Sequence, residues 1–89
     1  MIRQPVTIIN RLGLHARAAS KLVETATGYR SDIWLERDSK RINGKSIMGV
    51  LMLAAAKGTE LTVEVAGADE SQALSAITQL IASRFGEDD

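Results

Sequence analysis

The chain has 89 residues, with eleven Lys/Arg balanced by eleven Asp/Glu and hydrophobic residues at 45%, enough for one globular core and little more. It has no cysteine and one histidine, which excludes a disulfide framework and disfavours an all-protein transition-metal centre. No run approaches the roughly 20 apolar residues of a membrane span.

The first segment, QPVTII, is β-branched and partly alternating, and is read as a strand with Pro5 near its start. NRLGL follows as a loop in which Gly13 can take backbone angles that other residues avoid. From Ala16 to about Thr27, Ala19, Leu22, Val23 and Ala26 recur at helical spacing, and Gly28 ends the run. DIWLER is a second strand with Ile33 and Leu35 on one face, and Trp34 and Glu36 on the other. DSK turns the chain, and RIN begins a short return strand. Ser46 is a suitable N-cap for a second helix, IMGVLMLAAAK, with Lys57 and Gly58 as stop signals. ELTVEVA alternates, with Leu61, Val63 and Val65 inward and Thr62 and Glu64 outward. ADESQALSAITQLIASRF is a third helix capped near Ala68 or Asp69, with an apolar stripe of Ala73, Leu74, Ile77, Leu80 and Ile81. The order β-α-β-β-α-β-α predicts a single domain over residues 1–89. Its fold class is an α/β (α+β) two-layer open-faced sandwich: four mostly antiparallel strands with three helices on one face.

The start of the first helix breaks a local rule. Helix N-termini attract acids, yet this helix opens with Arg17 and Lys21, and no acid precedes Glu24. The first N–H groups of a helix lack intrahelical partners and favour an anion, and the forked donors of Arg17 suit phosphate. The missing anion is then a ligand, with His15 at the rim of its site. A positive local field favours neutral imidazole, which is nucleophilic and can accept a phosphoryl group rather than merely bind phosphate.

Other features carry less. NGKS resembles the end of a phosphate-binding loop, but that motif needs Gly where Ser39 stands. Asp69 and Glu70 are ordinary dipole complements at a helix start. Positive charge concentrates in residues 1–45, but zero net charge and only three aromatics argue against nucleic-acid binding. Ile47, Met48, Val50, Leu51, Met52 and Leu53 surround the second helix, so one side of it should stay exposed as an adaptable docking face.

GLHARAASK together with NGKSIMGVLMLAAAKG resembles HPr, the histidine-containing phosphocarrier family of the bacterial phosphotransferase system, over essentially the whole chain. The resemblance implies that His15 takes a phosphoryl group on Nδ1 from enzyme I, itself charged by phosphoenolpyruvate. Arg17 would lie beside it, and an EIIA-type domain would be the acceptor. It also implies regulatory phosphorylation of Ser46 by HPr kinase/phosphorylase, and partner contacts at Leu14, Ala16, Ser20, Ile47, Met48 and Leu51. Many relatives have Pro where this chain has Ala18; Gly49 and Glu24 replace basic residues of some relatives, which bears on partner choice. The chain also resembles the nitrogen-related branch of the family in its acidic FGEDD-like ending, so a regulatory adaptor without sugar transport is the alternative reading. A cytoplasmic monomer without cofactor, metal or membrane insertion is expected, since MIRQPVTII lacks the features of a signal peptide.

Overall fold

The computed structural model describes residues 1–88. Its elements are β1 (Ile2–Thr7), α1 (Ala16–Thr27), β2 (Asp32–Arg37), β3 (Lys40–Asn43), α2 (Ile47–Met52), β4 (Glu60–Ala66) and α3 (Glu70–Ala82), followed by a 3₁₀ turn over Arg84–Gly86. The sheet order is β1-β4-β2-β3, and every pairing is antiparallel. Pro5 lies on the edge strand β1 opposite Thr62, where its missing N–H costs the ladder little.

Ile33, Leu35, Leu61, Val63 and Val65 from the sheet pack with Leu22 and Ala19 of α1, Val50 of α2, Ile77 and Ala73 of α3, and Phe85. These alternating strands bury one face only, as their period of two dictates. The other face is covered by charge rather than by helices. Glu64 accepts from Arg3 Nη1 at 2.5 Å and from Arg41 Nη2 at 2.6 Å, while Arg3 Nη2 reaches Glu36 at 2.9 Å. The Arg41 guanidinium also stacks 4.7 Å from the Trp34 ring centre. Glu64 therefore points to the open face, yet it is buried beneath its two arginines. Arg41 first, and then Arg3, hold its carboxyl below the usual carboxylate range.

Three boundaries differ from the sequence reading. β1 runs over Ile2–Thr7 rather than from Gln4 to Ile9, because Ile8 turns into the core and its N–H bonds the Thr59 carbonyl at 2.9 Å. α2 ends at Met52, not near Lys57: Ala54 takes φ of +51°, and Arg37 Nη1 caps the carbonyls of Leu53 and Ala54 at 2.7 and 2.9 Å. Ala55 then turns inward and accepts from the Leu14 N–H at 2.8 Å. α3 ends at Ala82, and Arg84, Phe85 and Gly86 all adopt positive φ, which reverses the chain around the buried Phe85 ring.

Candidate functional site

The loop before α1 is built from its backbone outward. Asn10 is buried; its Nδ2 donates to the Gly13 carbonyl at 2.8 Å, and the Gly13 N–H returns to the Asn10 carbonyl at 3.1 Å. Gly13 has φ of +66°, and a Cβ there would lie 2.5 Å from the Ala55 carbonyl oxygen, so only glycine lets the loop press against the chain after α2. Leu14, expected among the partner contacts, is buried under this loop and supports the site from within.

His15 is the N-cap residue of α1, in extended backbone geometry, but its side chain makes no cap hydrogen bond. The first intrahelical bond runs from the Ala19 N–H to the His15 carbonyl at 2.8 Å, so the amides of Ala16, Arg17 and Ala18 precede the ladder. No acid occupies the first turn. An open depression of about 180 Å³ lies in front, lined by Arg11, Leu12, His15, Arg17, Glu87 and Asp88. A neighbouring cleft, which shares Arg11 and Asp88 with it, is lined also by Ile9, Lys57 and Arg84. Arg17 is exposed and makes no hydrogen bond or ion pair among the described residues, which leaves its donors available. Ala18 is buried against the core and Ser20 is exposed.

Two acids, Glu87 and Asp88, share this depression with the arginines, and Glu87 contacts the imidazole directly. Glu87 Oε2 lies 2.5 Å from His15 Nε2, and Glu87 Oε1 accepts from Asn10 Nδ2 at 3.0 Å. The His15 contact first, and then the Asn10 bond and the Lys21 charge, hold the Glu87 carboxyl below the usual range. Lys21 donates to the Phe85 carbonyl at 2.6 Å and so fastens the turn that delivers Glu87. The sequence reading paired Lys21 with Arg17 across one helical turn and treated the acidic ending only as a family trait. Its sole clue to Glu87 was a carboxylate on a charged tail, and nothing local in the sequence joins positions 72 residues apart.

Ser46 caps α2, its Oγ accepting from the Gly49 N–H at 3.1 Å. Beyond it, Ile47, Met48 (70% exposed) and Met52 (63%) stand in solvent, joined by Leu12 from the site loop (59%). Leu51 is half-buried and Ala16 is exposed. No group of His, Cys, Asp and Glu among the described residues could hold a metal ion. No helix among them is long and apolar enough to cross a membrane.

An open-faced antiparallel sheet with a lone histidine at an acid-free helix start, beside Arg11 and Arg17 in one depression, defines a small domain suited to carrying an anionic group. The family model described as the PTS HPr component phosphorylation site matches residues 2–83. The chain is 53% identical to phosphocarrier protein HPr of Neisseria meningitidis serogroup A and 48% identical to that of Cupriavidus necator, in each case over 98% of both chains. The crystal structure of HPr-C-His from Thermoanaerobacter tengcongensis superposes with a TM-score of 0.97 at 42% identity, covering all of both chains. The chain belongs to the HPr family of phosphotransferase-system phosphocarriers.

Proposed function

We propose that residues 1–89 act as one cytoplasmic phosphocarrier domain. It accepts a phosphoryl group on His15 from enzyme I and passes it to an EIIA-type acceptor. The observation that carries this reading is His15 at the cap of α1 without a capping bond, beside Arg17, which is without a partner among the described residues. Phosphoryl transfer needs little covalent chemistry from a protein beyond a nucleophile, positioning and charge stabilisation. The imidazole supplies the nucleophile. Arg17 and the free amides of α1 supply donors for the phosphoryl oxygens, whose charge must be met both during transfer and afterwards.

Ser46 is the regulatory position in this reading, acted on by HPr kinase/phosphorylase, and the exposed Ile47 and Met48 belong to the docking face. A phosphate on Ser46 places about two negative charges beside that face. The test is incubation with enzyme I and phosphoenolpyruvate, followed by mass measurement of the intact chain. One phosphoryl group is expected on the parent and none on His15→Ala. Presenting the phosphorylated form to a panel of EIIA-type domains separates a transport carrier from a regulatory adaptor, which would be recognised without passing the group on.

A further inference from the structure

We infer that Glu87 is a positioning residue for His15, fixing the ring so that Nε2 carries the proton and Nδ1 presents its lone pair to the incoming phosphoryl group. This deepens the phosphocarrier reading and rests on it for the transfer step, though not for the state of the ring. A carboxylate only accepts hydrogen bonds, so the 2.5 Å contact requires the proton to sit on Nε2. Among the described residues no hydrogen bond reaches Nδ1.

Glu87 is itself held from three directions. Asn10 Nδ2 binds its other oxygen at 3.0 Å and ties it to the Gly13 carbonyl of the site loop. The Glu87 N–H donates to the Arg84 carbonyl at 2.9 Å, closing the left-handed turn. Phe85 anchors that turn in the core, and Lys21 binds its carbonyl at 2.6 Å. A side chain restrained in this way can select one orientation of the imidazole, as the buried carboxylate of a Ser-His-Asp triad does.

The step balances without a proton transfer. The Nδ1 lone pair forms the new P–N bond as the bond from phosphorus to the donor breaks, and the donor keeps that electron pair. Nε2 retains its hydrogen, so the phosphorylated ring carries positive charge next to the Glu87 carboxylate. That charge is absent before attack, so the contact strengthens as transfer proceeds and favours the transition state over the ground state.

The test compares the parent with Glu87→Gln and Glu87→Ala, using ¹⁵N-labelled protein at a pH where the ring is neutral. In the parent we expect a single tautomer, with an exchange-protected proton on Nε2. Glu87→Gln, whose amide oxygen can accept the same bond, should keep the tautomer without the charge. Glu87→Ala should lose the protected proton. For phosphoryl uptake from enzyme I, kcat should fall about ten- to a hundredfold in Glu87→Ala, the value of one charged hydrogen bond, with Glu87→Gln between and KM little changed. A parent ring protonated on Nδ1, or a protected Nε2 proton that survives Glu87→Ala, overturns the assignment. So does an unchanged kcat in Glu87→Ala. If no chain, parent included, takes up phosphoryl from enzyme I, the carrier reading fails, and the tautomer measurement still decides the role of Glu87.

Discussion

Lys21 and Phe85 are joined by a 2.6 Å bond from the lysine ammonium to the phenylalanine carbonyl, and this bond links the body of α1 to the turn that brings Glu87 to His15. Removing the ammonium while keeping the stem, as in Lys21→Met, should lower stability by about 1 kcal/mol, since the side chain is partly exposed. The same variant should speed exchange of the His15 Nε2 proton. Thermal melting and proton-exchange NMR check both outcomes. Unchanged exchange would separate the lysine from the site.

Arg17→Ala should leave stability within about 0.5 kcal/mol of the parent, as an exposed residue without partners among the described residues contributes little to the fold. Phosphoryl transfer should slow on the order of tenfold or more, the cost of one charged contact to the migrating group. Melting and transfer kinetics on the same preparation test the pair of statements. A large loss of stability with normal transfer would make Arg17 structural.

Ser46→Asp should keep or raise the melting temperature, because aspartate is itself a favoured N-cap whose carboxylate can accept from the Gly49 N–H that Ser46 Oγ now binds. Its carboxylate would also stand beside the exposed Ile47 and Met48. Docking on an apolar or acidic surface must then desolvate or oppose that charge, so KM for enzyme I should rise and added salt should partly restore it. Transfer as fast as the parent at low salt would remove this electrostatic account.

Asp69 is the acid whose role the structure changes most. Its carboxylate does not cap α3. It accepts instead from Ser31 Oγ at 2.5 Å and from the backbone N–H groups of Arg30 and Ser31, both at 2.9 Å. The Ser31 hydroxyl first, and then the Arg30 amide, pull its pKa down to about 2. A depressed carboxyl pKa stabilises the fold above the ordinary Asp value of about 4, and this contribution is lost as pH falls through the folded value. Asp69→Asn should therefore melt below the parent at pH 7, with the gap closing as pH falls toward about 2. Melts across that range are the check, and a gap independent of pH would contradict the linkage.

What the sequence disclosed follows from the range of each interaction. The interior of α1, β2 and β4 was legible because their periodicities are local and strong, and their observed limits match the reading. The end of α2 was not, because Ala54 to Ala56 are good helix formers. The stop comes from Arg37 on β2 and from Leu14 pairing with Ala55, both distant in sequence. His15 and Arg17 stood out because a helix start without acids is a local anomaly. Glu87 did not, because a left-handed turn around Phe85, a phenylalanine in an unfavoured backbone region, carries it there. The burial of Leu14 was not legible for a similar reason: it depends on the path of the chain after α2.

The central claim, that His15 carries the phosphoryl group, is tested most directly by ³¹P and ¹⁵N NMR of the chain after reaction with enzyme I and phosphoenolpyruvate. The account predicts one phosphorus coupled to Nδ1 of His15. That signal should vanish on mild acid treatment, because a P–N bond hydrolyses readily when protonated, and it should be absent from His15→Ala. An acid-stable phosphorus signal, or one that persists in His15→Ala, would contradict it.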